Sequence, residues 1–142
     1  MIKVIKTSHL LHASAAKIWE HISKATNVEA WLPGVLTTTL TGKGEGAKRF
    51  CTTEQGDFHE TIRKIDNQQK LFQYSIEEQS FLPVTNTIGT MIVSGDDTTT
   101  ELQWNVEVTV ADEALFPQVK QTLEAVYAAG AKGLETLSQG SK

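Results

Sequence analysis

The chain has 142 residues, 39% of them hydrophobic and 21% charged, with a formal net charge of −4. That is long enough to bury one sizeable core and too apolar for a disordered chain. The acidic balance argues against non-specific nucleic-acid binding, and no run reaches the roughly 18–20 apolar residues that a membrane span needs.

Residues 2–11 alternate apolar and polar side chains, the period of a half-buried strand and not the apolar centre of a signal peptide. A single cysteine, Cys51, leaves no intrachain disulfide and fits a reducing compartment, so a cytoplasmic protein is expected. Ser14 carries an oxygen suited to capping a helix start, and Ile18, Trp19 and Ile22 share one face of a short helix over 15–22. A further helical turn over 27–31 is ended by Pro33-Gly34.

Six strands are predicted next, over 35–41, 47–53, 58–65, 71–77, 85–93 and 99–110. The breaks between them are turn-like: Gly42 to Gly46, Glu54 to Asp57, Asp66 to Gln68 and Ser94 to Asp97. Only Gln79 to Pro83 is longer and more apolar. From Asp112 to Ser138, Leu115, Phe116, Val119, Leu123, Val126, Tyr127, Gly130, Leu134 and Leu137 recur at steps of three and four. That spacing marks one face of a single long helix. The tail, Gln139 to Lys142, is expected to fray. Consecutive strands joined by short turns imply an antiparallel sheet, so the chain reads as one α+β domain over 1–142.

Four stretches carry a resemblance. They are Ala15 to Ile22 followed by Asn27 to Val35, the glycine turn with Lys48-Arg49 after it, His59 to Asp66, and the C-terminal helix. In this order and spacing the chain resembles the START/Bet v1-like (SRPBCC) superfamily, and within it the polyketide cyclase/dehydrase and lipid-transport family. The resemblance implies the helix-grip fold: a seven-stranded antiparallel sheet wrapped around the long C-terminal helix, with two short helices after the first strand. It also implies a cavity between that helix and the strand-connecting loops.

Strand alternation proposes the inward set. It comprises Phe58, Glu60 and Ile62; Phe72, Tyr74 and Ile76; and Leu102, Trp104, Val106 and Val108. The helix adds Leu123, Val126, Tyr127 and Gly130, where the glycine either leaves room for a ligand or lets the sheet approach closely. Phe81 and Leu82 sit in a loop that either gates the cavity or folds over the core, as the turn at 54–57 could also do. Glu60 is singled out because a buried carboxylate is costly unless paired. It is the candidate general acid or base, and in the abscisic-acid receptors, which look like distant relatives, a glutamate at the matching place lies in the pocket. Arg49 is its natural partner. Apolarity would turn Phe50 inward instead, whereas the family pattern turns Arg49 inward. The receptors' pocket lysine would fall near Pro33-Gly34, where no lysine stands, so the hormone-receptor role does not carry over.

No metal site or cofactor is expected. His9 and His12 fall on opposite strand faces, His21 on an exposed helix face, and His59 away from Glu60. Cys51 reads as a small strand residue, since no thiol-activating neighbour stands near it. The glycine turn lacks the ending of a phosphate loop, and no nucleophile elbow exists.

Three functions stay open. The first is binding of a small hydrophobic or amphipathic ligand, such as a lipid, polyketide or aromatic compound. The second is a cyclase/dehydrase-type enzyme with Glu60 as acid or base and Tyr74, Tyr127 or Arg49 steadying an oxyanion. The third is a protein-interaction module with an apolar patch at Phe81-Leu82. A monomer or homodimer is expected, without nucleic-acid or integral membrane association.

Overall fold

The computed structural model describes residues 1–140. Strand β1 (Ile2–Leu11) leads into helix α1 (Ala15–Ser23) and a single 3₁₀ turn at Val28–Ala30. Strands β2 (Val35–Thr41), β3 (Lys48–Thr53), β4 (Gly56–Asp66), β5 (Leu71–Glu78), β6 (Val84–Gly95) and β7 (Thr100–Val110) follow. A short 3₁₀ turn at Glu113–Leu115 then leads into helix α2 (Phe116–Gly140). The strands form one antiparallel sheet in the order β1-β7-β6-β5-β4-β3-β2. This is the helix-grip arrangement expected from the sequence.

The local chemistry accounts for the elements. In β7 every second residue from Thr100 to Val110 is buried, and Glu101, Gln103 and Glu107 face outward. Ser14 accepts a hydrogen bond from the Lys17 backbone N–H and starts α1, whose Ala15, Ile18, Trp19 and Ile22 are buried. Asp112 accepts one from the Ala114 N–H at 2.9 Å, and Pro117 stands in the first turn of α2, where its missing N–H costs nothing. Register shifts interrupt the β2–β3, β4–β5 and β6–β7 ladders. Such bulges bend and twist strands, and here they accompany a sheet curled around α2. The core runs continuously from Ile5 and Leu11 through Ile18, Phe72, Met91 and Trp104 to Val119 and Leu134.

Several expectations need adjustment. Leu115 does not belong to the buried helical face: it ends the 3₁₀ turn before the helix and is 38% exposed. The second early helical segment is only the single 3₁₀ turn. Strand β4 begins at Gly56, so the connection expected at 54–57 is a tight hairpin turn. Of the tail expected to fray, Gln139 and Gly140 are the last residues of α2, and Ser141 and Lys142 lie outside the described residues. His21 is half-buried, with Nδ1 shielded from solvent and without a hydrogen-bond partner among the described residues. Phe81 and Leu82 do not form an exposed apolar patch but are half-buried. The exposed large hydrophobic residues are elsewhere, chiefly Ile2, Val4 and Leu10 on the outer face of β1.

Candidate functional site

A cavity of about 170 Å³ lies between the concave face of the sheet and α2. Its wall is mostly apolar. Strands β4 to β6 contribute Phe58, Phe72, Ile76, Val84 and Met91; β7 contributes Trp104 and Val108; α2 contributes Leu123 and Val126. The end nearest α1 is closed by Ile22, Val28, Trp31 and Leu32.

Two loops meet at the other end. A Cβ on Gly56 would stand 3.0 Å from Ser80 Oγ, so the β3–β4 turn touches the β5–β6 connection. Beneath that contact Phe58 and Phe81 meet edge to face, with centroids 6.4 Å apart. The β5–β6 connection is held by one side chain. Gln79 accepts from the Leu82 N–H and donates to the carbonyls of Leu82 and Val84.

One corner of the cavity is polar. Arg49 and Glu60 are opposite in the β3–β4 register, and both point inward. Arg49 Nε donates to Glu60 Oε1 at 2.5 Å, and Nη1 donates to the Ala25 carbonyl at 3.3 Å. The guanidinium also lies over the rings of Phe72 and Tyr74, 5.7 Å and 5.3 Å from their centroids. Burial is the largest single influence and works against the Arg49 charge, but the Glu60 carboxylate, through its charge and hydrogen bond, together with Cys51 and Tyr74 holds the guanidinium's pKa above its ordinary value. Phe50, the competitor for the inward place, lies on the outer face with its ring 4.8 Å from that of His59.

Beside this pair stands an aromatic cluster. Trp104 Nε1 donates to the Tyr74 hydroxyl at 3.1 Å, and the Tyr127 ring stacks on Trp104 with centroids 4.1 Å apart. The phenols of Tyr74 and Tyr127 are close enough to influence each other's ionisation. Burial, reinforced by the Glu60 charge, pushes the Tyr74 phenol up to about 12. Burial and the neighbouring Tyr74 hold Tyr127 well above its ordinary value. Both phenols are therefore neutral and able to donate at physiological pH. Burial likewise pushes the Cys51 thiol up to about 11, so the thiol in the wall is not an activated nucleophile.

Most of the side chains proposed from the sequence come together here. Arg49, Phe58, Glu60, Tyr74, Ile76 and Phe81 line the cavity, as do Trp104, Leu123, Val126 and Tyr127. Ile62 and Val106 do not: both are fully packed in the core, 0% and 1% exposed. Gly130 is not on the wall either. A Cβ there would stand 2.9 Å from the Trp104 ring and 3.0 Å from Leu32, so the glycine serves close packing and leaves no room for a ligand. Thr87, Met91 and the α1 end of the wall escaped the sequence reading. Alternation in β6 places Thr87, Gly89, Met91 and Val93 on one face, a signal that was available. Gly89 matters in another way: a Cβ there would fall within 2.3 Å of the Tyr74 ring, so the strand is bare where the phenol crosses it. Among the described residues no group of His, Cys, Asp or Glu could hold a metal ion, and no helix is long and apolar enough to cross a membrane.

The fold has well-populated structural company. Norcoclaurine synthase from Thalictrum flavum, in complex with dopamine and hydroxybenzaldehyde, aligns with 100% of this chain and 89% of its own at 24% identity and a TM-score of 0.78. An uncharacterized protein from Bacillus thuringiensis aligns over 96% of this chain and 99% of its own, at 23% identity and a TM-score of 0.82. A protein from Thermobifida fusca covers 93% of this chain and 90% of its own, with 23% identity and a TM-score of 0.79. At such identities the likeness establishes the fold alone. No curated protein matches the sequence. The sequence profile of polyketide cyclase/dehydrase and lipid transport proteins matches residues 1–139, and the chain belongs to that family.

Proposed function

We propose that the protein binds a small, mainly hydrophobic ligand in the cavity between the sheet and α2. The observation that carries this reading is a mostly apolar cavity with a few polar side chains, whose charged lining residues are the paired Arg49 and Glu60, the usual character of small-molecule sites. Its size narrows the class. At about 170 Å³ it falls below the roughly 300–1,000 Å³ of drug-sized pockets. Engineered apolar cavities of about 150 Å³ hold one benzene-sized ring. A single-ring aromatic compound therefore suits the cavity better than a whole lipid or a multi-ring polyketide. The complex of norcoclaurine synthase with aromatic compounds agrees with this choice. A thermal-shift screen against single-ring aromatic compounds tests it, because a ligand that binds only the folded state raises Tm with concentration. The reading fails if no such compound shifts Tm while longer lipids do.

Glu60 favours a second reading, catalysis. Its Oε1 is taken by Arg49, but Oε2 receives no hydrogen bond from a described residue and stands at the cavity corner beside neutral phenols. A carboxylate oxygen and a phenolic donor at one corner could remove a proton and steady the resulting oxyanion. Glu60→Gln in a variant that still binds a turned-over compound would lose turnover by at least about 100-fold, the usual size of a general acid–base contribution. Unchanged turnover would exclude the role.

A further inference from the structure

The polar corner carries hydrogen-bonding capacity that the protein itself does not use. Trp104, Tyr74 and Tyr127 bring three donor hydrogens together. The indole hydrogen is spent on the Tyr74 oxygen. At most one phenolic hydrogen can be spent between the two phenols, which lie side by side. Whichever phenol donates, at least one phenolic hydrogen is left, and both tyrosines line the cavity. On the neighbouring strand Glu60 pairs with Ile76, two residues from Tyr74, which makes Glu60 and Tyr74 diagonal neighbours on one face. Among the described residues Glu60 Oε2 is an acceptor without a donor.

The corner thus offers at least one phenolic hydrogen, the guanidinium hydrogens of Arg49 not spent on Glu60 and Ala25, and one acceptor, and the Arg49 and Glu60 charges offset each other. A hydrocarbon would leave these groups unmet, which is costly where water is excluded. A carboxylate could accept from a phenol but would bring its charge against Glu60. A hydroxyl both accepts and donates. We propose that this corner is a subsite for the hydroxyl of a neutral single-ring phenol, received between the Tyr74/Tyr127 phenols and Glu60 Oε2. The proposal rests on the binding reading above and names the polar end of its ligand.

Calorimetric titration with p-cresol, toluene and p-toluate at neutral pH tests it, since the three share one methyl-substituted ring. The expected result is p-cresol at least tenfold tighter than toluene, with p-toluate weaker than p-cresol. Tyr74→Phe or Tyr127→Phe alone keeps most of that advantage, because each leaves one phenolic hydrogen. The double variant reduces it to threefold or less with toluene binding unchanged, and toluene binding reports that the cavity is intact. If the double variant does not fold, Glu60→Gln supplies the reading instead: p-cresol affinity falls at least tenfold and toluene affinity does not. Equal binding of p-cresol and toluene by the unaltered protein, or tighter binding of p-toluate, overturns the hydroxyl subsite while the cavity reading stands. Failure of all three to bind overturns both.

Discussion

Arg49 and Glu60 face each other across β3 and β4 and form a buried ion pair, their side chains 7% and 9% exposed. Removing one partner of such a pair leaves an uncompensated buried charge, which costs about 3–5 kcal/mol. For a chain of this length that is on the order of 10 °C in Tm. Glu60→Leu and Arg49→Met are each expected to lose that much in thermal or urea unfolding. The double variant should lie closer to the unaltered protein than either single one, because it removes both charges together. Additive losses in the double variant would show that the pair is not coupled.

The two tyrosines of the chain both lie in the cavity wall, so tyrosine titration reads the site directly. Burial raises Tyr74 to about 12 and Tyr127 well above its ordinary 10.0. An acid whose pKa is raised by folding stabilises the native state fully below the unfolded pKa. The unfolded chain loses its phenolic protons first, so stability falls as pH rises from about 10 toward 12. Phenolate absorbance of the folded protein should stay flat through pH 10 and rise only near 12 or on unfolding. A folded-state transition centred at pH 10 would show that the phenols are exposed.

Much of this site was legible because a strand's period of two fixes which side chains share a face. Phe58, Glu60, Tyr74, Ile76 and Trp104 were reachable by that rule alone. The rule gives a face and not a depth, so it could not separate Val106 and Ile62, which pack in the core, from Val108, which reaches the cavity. Outer-face side chains blur burial further: Glu60, Thr61 and Ile62 are all buried in unbroken register, because Thr61, on the other face, is covered by Lys48 and Glu77, which hydrogen-bond its hydroxyl. Arg49 was undecidable from local pattern because Phe50 beside it is the more apolar. What decides is the partner: a guanidinium is buried at acceptable cost only opposite Glu60, a cross-strand fact invisible along the chain.

Helix α2 makes a prediction that runs against helix propensity. Gly130 and Gly133 both lie inside it, where alanine is ordinarily better by about 1 kcal/mol. At Gly130 the new Cβ meets the Trp104 ring at 2.9 Å and a Leu32 methyl at 3.0 Å, side chains with some freedom to yield. At Gly133 it would fall 1.8 Å from the Trp31 carbonyl oxygen, which is backbone. Gly133→Ala should therefore destabilise the protein by more than the roughly 1–3 kcal/mol typical of overpacking. Gly130→Ala should cost less than Gly133→Ala. Urea unfolding of the two variants checks the order, and a stabilised Gly133→Ala would mean that α2 does not press on the 3₁₀ turn as described.

Cys51 gives an independent reading of how closed the cavity is. Its thiol lines the wall and is 5% exposed, and burial moves it from an ordinary 9.0 to about 11. The thiolate is the reactive form, so a two-unit rise lowers its fraction near pH 8 by about 100-fold before any steric hindrance is counted. Alkylation by iodoacetamide at pH 8 should be at least that much slower in the folded protein than in urea. The rate should climb with pH toward 11 and not level off near 9. Ring-sized compounds that enter the cavity should slow it further, since they occupy the space through which the reagent must approach. Equal rates in the folded and unfolded chain would mean that the cavity stands open between the β3–β4 turn and the β5–β6 connection.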